Sequence, residues 1–99
     1  MLPAALLTSA PACADDYVIT LKDHQFTPQM LTIPAHQKIK ITVKNLDATP
    51  AEFESSDLDR EKVVSRGSKI IVFVGPLDAG SYGYFDDFNH AVTGIIIAK

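Results

Sequence analysis

The chain has 99 residues, 46% apolar and 21% charged, which fits one small globular domain rather than a disordered segment. Its formal net charge of −3 argues against nucleic acid as a partner, because neutralising phosphates takes a basic face. No apolar stretch reaches the length needed to cross a bilayer as a helix.

The opening run MLPAALLTSAPACA carries no charge and ends Ala12-Cys13-Ala14 before Asp15-Asp16. An uncharged Leu/Ala stretch closed by an A-x-A pattern reads as the remnant of a secretory signal peptide, residues 1–14, cleaved after Ala14. Residues 15–99 are then an exported domain. Cys13, the one cysteine, leaves with the leader, so the mature domain is expected to hold neither a disulfide nor a thiolate.

The rest reads as short strands. Tyr17–Leu21 (YVITL) places Tyr17, Ile19 and Leu21 on one face. Met30–Pro34 (MLTIP) follows a Thr27-Pro28 break, with Met30 expected in the core. Lys38–Lys44 (KIKITVK) alternates Ile39, Ile41 and Val43 against lysines and Thr42, the period-2 pattern of a half-buried strand. Ala51–Ser56 (AEFESS) is another. Ser56–Lys62 has the look of a charged, solvated excursion, with either one helical turn or a short strand at Val63–Val64. Lys69–Gly75 (KIIVFVG) is continuously apolar, as a central sandwich strand would be. Gly80–Phe85 and Val92–Ala98 complete the set, and Phe53, Phe73 and Phe85 are assigned to the core. Pro, Asn, Asp and Gly punctuate the intervals. The expectation is an all-β domain of about seven strands, an antiparallel sandwich or Greek-key barrel.

One loop departs from ordinary turn chemistry. In YFDDFNHAVTG, two aspartates and a histidine stand between apolar strands. Residues i and i+2 of a strand share a face, so Glu52 and Glu54 point together with Phe53 opposite. If the loop meets that strand, Glu52, Glu54, Asp86 and Asp87 converge, with His90 nearby. Clustered carboxylates repel one another, and a cation relieves the cost. Oxygen donors with an optional imidazole suit Fe(III), Fe(II), Mn(II), or Cu(II) if His90 joins. Each residue also has a plainer role. Acids on an edge strand discourage aggregation, and aspartates in turns bond their own backbone. His90 and His36 also read as surface histidines. Asp57 lies within the charged excursion.

The order of elements resembles the cupredoxins. HQFTPQMLTIPAHQKIKITVKNLDATPAEF is similar to the N-terminal half of that family and YGYFDDFNHAVTGIIIAK to its C-terminal half, together covering nearly all of residues 17–99. The resemblance implies a cupredoxin-like Greek-key β-sandwich. ATPAEFESSDL (Ala48–Leu58) and FDDF (Phe85–Phe88) resemble a subgroup associated with bacterial periplasmic iron uptake. That likeness implies a periplasmic, metal-binding accessory of ferrous iron uptake. Its partners would be a periplasmic iron-binding protein or an inner-membrane iron permease. It also adds His24, since a ligand of related domains sometimes comes from that neighbourhood, and it implies that Asp57, as part of the motif, could reach the metal. The departures matter. Type 1 copper needs two His, a Cys and a weak axial Met. Here Ala51 and Glu52 stand where the first His is expected, Asp86 at the cysteine position and Asn89 at the second His. The expected cofactor is therefore an iron or copper ion outside a type 1 site.

The metal candidates are thus Glu52, Glu54, Asp86, Asp87, His90 and His24. An enzyme role is disfavoured, assistance to Fe(II) oxidation being the only activity suggested. The alternative is a metal-free sandwich that binds a periplasmic or membrane protein, favoured by Asn89 standing at a ligand position.

Overall fold

The computed structural model describes residues 17–99. The leader, its cleavage point and Cys13 lie outside the described residues. Nine strands run in chain order: β1 (Tyr17–Lys22), β2 (Gln25–Thr27), β3 (Met30–Ile33), β4 (Ile39–Asn45), β5 (Ala51–Ser55), β6 (Arg60–Val64), β7 (Lys69–Val74), β8 (Gly80–Asp86) and β9 (Asn89–Ala98). They form two packed sheets, β2-β1-β4-β7 and β3-β9-β8-β5-β6. The two strands beyond the expected seven are β2, too short to show a period, and β6, whose polar sequence hides its pairing. Not every pair is antiparallel: β1 with β4 and β3 with β9 run parallel, because both partners enter the sheet from the same end.

Alternation builds the core. Ile19 and Leu21 from β1, Ile39, Ile41 and Val43 from β4, Phe53 from β5 and Ile96 from β9 fill the space between the sheets. Tyr84 from β8 lies among them, stacked on Phe53 at 4.9 Å and edge-on to Phe26 at 5.0 Å. Its ring lies across Gly94, the β9 residue paired with it, where any Cβ would collide with the phenol.

Three apolar assignments from the sequence are corrected. β7 is an edge strand, not a central one. With Val72 and Val74 facing in, Phe73 faces out at 47% exposure, and Lys38 Nζ lies 5.0 Å from its ring centroid. Met30 is 60% exposed, because β3 turns Leu31 and Ile33 inward instead. Phe85 is half-buried on the outer face of its sheet, one residue out of phase with Tyr84 and Asp86.

The excursion after β5 is a tight hairpin, and its charged residues Asp57, Asp59, Arg60, Glu61 and Lys62 are exposed as expected. A four-residue loop, Ser56–Asp59, joins β5 to β6, whose register pairs Ser55 with Arg60 and Glu54 with Glu61. Leu58 is buried at the loop's apex, and its N–H donates to Ser55 Oγ at 3.0 Å. Asp59 takes a positive φ of 56°, which Asp tolerates better than most residues.

Candidate metal centre

The charged group forms where two hairpins meet on the outer face of the five-stranded sheet. β5 buries Ala51, Phe53 and Ser55, which leaves Glu52 and Glu54 on the outside. β6 brings Glu61 directly opposite Glu54. The β8–β9 turn folds over the start of β5, and the Asp87 N–H donates to the Glu52 carbonyl at 2.9 Å. One carboxylate oxygen from each of Glu52, Glu54, Glu61 and Asp87 lies within 4.8 Å of all the others. Oxygen ligands at about 2.0–2.6 Å from one ion stand about 4–5 Å apart across it, so this spacing matches a shared cation.

The group is electrostatically costly when empty of charge partners. Desolvation pushes the Glu52 carboxyl from the ordinary 4.5 up to about 7, helped by hydrogen bonding to and the charge of Glu61, then of Asp87. Glu54 is raised for the same leading reason, followed by the charges of Glu61 and Asp87. Among the described residues no Lys or Arg pairs with a carboxylate; the three ion pairs all involve histidine. A cation would offset both the desolvation and the repulsion that raise these two groups.

The candidate ligands of the sequence separate into three sets. Glu52, Glu54 and Asp87 come together. His90 stands one hydrogen bond away, its Nε2 2.8 Å from Asp87 Oδ1, and its ring meets Phe85 edge-on at 5.1 Å. Such a contact orients a ligating carboxylate from behind. Asp86 and His24 lie outside the group. Asp86 faces inward at 4% exposure, where a bulge at Phe85/Asp86 shifts the register. Its Oδ1 accepts the N–H groups of Glu52 and Phe88, both at 2.9 Å, and so ties the turn to β5. His24 sits in the two-residue β1–β2 turn with φ 59°, its N–H donated to Asp47 Oδ2 at 2.9 Å and its Nδ1 3.6 Å from the same oxygen. Asp57 accepts the Gly83 N–H at 2.8 Å instead of reaching the carboxylates.

Glu61 is the member that sequence reasoning passed over. Its signal was available: with a four-residue loop after Ser55, cross-strand pairing puts Glu61 opposite Glu54 on the same face.

A model of the cupredoxin-like domain matches residues 1–98 of the chain. The chain belongs to the cupredoxin-like domain family. An uncharacterized protein of Rickettsia prowazekii (strain Madrid E) is 42% identical over 82 residues, 82% of this chain and 66% of that protein. The chain therefore spans slightly under two thirds of that relative's length. Solved cupredoxins share the sandwich. A purple cupredoxin from Nitrosopumilus maritimus superposes with a TM-score of 0.69 at 18% identity, covering 85% of this chain and all of that one. Amicyanin from Paracoccus versutus gives 0.65 at 17% identity, over 92% of this chain and 86% of its own. Auracyanin from Roseiflexus castenholzii gives 0.68 at 13% identity, over 84% and 95%.

Cupredoxins in general hold copper through a thiolate and imidazoles, and the described residues of this member do not offer that donor set. No cysteine falls within residues 17–99. The buried carboxylate of Asp86 is already occupied by two backbone N–H groups. The donor group that this cupredoxin-like domain presents is carboxylate and lies on the outside of the sheet, not between the sheets.

Proposed function

We propose that this cupredoxin-like domain is a metal-binding accessory of iron uptake that works in the periplasm. It would hold a hard or borderline cation through Glu52, Glu54, Glu61 and Asp87, with His90 supporting Asp87. The observation that carries the reading is the convergence of four carboxylate oxygens within 4.8 Å, on three separate stretches of chain, with no Lys or Arg of the described residues pairing them. An all-oxygen set favours Fe(III), Fe(II) or Mn(II) and is a poor home for Cu(I). Cu(II) becomes competitive only if His90 swings from Asp87 to the ion.

The iron assignment draws on the likeness of Ala48–Leu58 and Phe85–Phe88 to the iron-uptake subgroup, and the export assignment on residues 1–14. A periplasmic iron-binding protein or a membrane permease is the expected recipient of the ion. Half-exposed carboxylates suit such transfer, because a partner can reach the ion without unfolding the sheet. Oxygen ligands also stabilise Fe(III) over Fe(II), so the site would assist oxidation of bound Fe(II) by an external oxidant rather than carry out turnover itself.

The test is a metal count. The protein is incubated separately with Fe(II) under anaerobic conditions, Fe(III)–citrate, Mn(II), Cu(II) and Zn(II), then freed of unbound ions. The reading expects one ion per chain, lost in Glu54→Gln and Glu61→Gln. An unloaded wild type would refute it and leave the metal-free binding sandwich as the function.

A further inference from the structure

Beside the carboxylates, on the same sheet face, lies a cleft of about 560 Å³. Its floor is Gly83, and its walls include Phe85, His90, Thr93, Ile95 and Asp57. It is continuous with the acidic corner, since Phe85 pairs directly with Glu54 and His90 bonds Asp87.

Gly83 and Gly94, facing opposite sides of this hairpin, differ in kind. Gly94 is demanded by the fold, because Tyr84 occupies the place of its Cβ. Gly83 is not. A Cβ there would meet nothing nearer than Asp57 Oδ2 at 3.7 Å, an ordinary contact, and its φ is not positive. Glycine inside a strand weakens it, and usually marks a bulge, a close backbone neighbour or an approaching ligand. The register is unbroken at Gly83, which pairs with Ile95, and the close-neighbour explanation fails on the distances. What remains is room kept open on the outside of the sheet.

We infer that this cleft is a docking site for a protein partner's segment that carries an apolar anchor next to Lys or Arg. The anchor lies over Gly83 between Phe85 and Ile95. The basic residues face Glu54, Glu61 and Asp87 along the rim, with Asp57 at the other wall. Charge complementarity selects this occupant: Asp57 lines the cleft, Glu54 and Asp87 adjoin it through Phe85 and His90 with Glu61 opposite Glu54, and no Lys or Arg of the described residues pairs with any of them. The inference goes beyond the metal reading and stands without it. Where both hold, a bound cation neutralises part of the rim and weakens docking, so delivery of the ion is coupled to partner exchange.

The experiment is an amide-resolved NMR titration of the metal-free wild type, in chelator, with acetyl-Phe-Arg-Arg-amide. Acetyl-Gly-Arg-Arg-amide and acetyl-Phe-Glu-Glu-amide serve as controls. The expected result is saturable shifts at Gly83, Phe85, Thr93 and Ile95 with the first peptide, at least about tenfold weaker with either control. Gly83→Val fills the floor and is expected to weaken the Phe-Arg-Arg peptide about tenfold, the ratio that ~1.4 kcal/mol of contact gives. It should still bind metal with wild-type stoichiometry, which separates failure of docking from failure of the metal site. Gly83→Ala serves as a smaller second variant. Shifts confined to Glu52, Glu61 and Asp87 that ignore the anchor, or equal binding by wild type and both Gly83 variants, would overturn the inference.

Discussion

Asp86 separates a ligand from a strut. Its carboxylate is buried and receives two backbone N–H groups, from Glu52 and Phe88, at 2.9 Å each. Asp86→Ala removes the acceptor for both. A buried N–H left without a partner costs roughly 1–3 kcal/mol, and turn flexibility lets solvent satisfy part of the Phe88 group. The expected loss is about 2–4 kcal/mol, a large share of the ~5–15 kcal/mol available to such a domain. At roughly 4–8 °C per kcal/mol, the melting temperature falls by about 8–32 °C. Asp86→Asn keeps an acceptor oxygen in place, so its loss is smaller, about 1 kcal/mol. Its metal stoichiometry is expected to match the wild type. The assay is thermal unfolding by circular dichroism with metal counting on the same samples. A folded Asp86→Asn that no longer binds metal would place Asp86 among the ligands and refute the division drawn here. An Asp86→Ala as stable as the wild type would refute the strut.

Three further outcomes follow from the same geometry. Because Glu52 holds its proton up to about pH 7 in the fold but only to about 4.5 when unfolded, the native state binds more protons between those values. Unfolding free energy without metal therefore falls as pH rises from about 4.5 to about 7 and is level above it, and Glu52→Gln flattens that slope; urea titrations in chelator at pH 5 and pH 8 measure it, and a rise with pH over that window would contradict it. A cation that binds only the native state at 100 times its dissociation constant adds about 2.7 kcal/mol, so the melting temperature at pH 7.5 rises by roughly 10–20 °C in the wild type and stays put in Glu54→Gln. Gly94→Ala drives a methyl into the Tyr84 phenol and costs at least about 1–3 kcal/mol, whereas Gly83→Ala is neutral or stabilising, since the added Cβ has room; equilibrium unfolding of the pair reads the contrast.

The sandwich was legible because its strands alternate cleanly. Ile39, Ile41 and Val43 in β4 announce both the strand and its buried face. Edges were harder to read. A continuous apolar run such as Lys69–Val74 looks the same in the middle of a sheet and at its rim, so Phe73 passed for core when Lys38 covers it instead. β6 was hidden because REKVV has no apolar period; its pairing comes from the loop that Leu58 anchors. The same gap concealed Glu61. For Glu52 and Glu54, parity alone gave the shared face. The same parity separates Asp86 from Asp87, since neighbours along a strand point to opposite sides, and grouping both with the glutamates overlooked it. Asp86 follows Tyr84 into the core, and Asp87, in the two-residue turn, goes to the carboxylates.

The most direct measurement is the position of the ion itself. Crystals soaked in Fe(II) or Mn(II), with anomalous data collected at the metal edge, would show where it sits. The account predicts one peak on the outer face of the five-stranded sheet, about 2.0–2.6 Å from carboxylate oxygens of Glu52, Glu54, Glu61 and Asp87. A peak between the sheets beside Asp86, a peak at His24, or none at full soak, would contradict it.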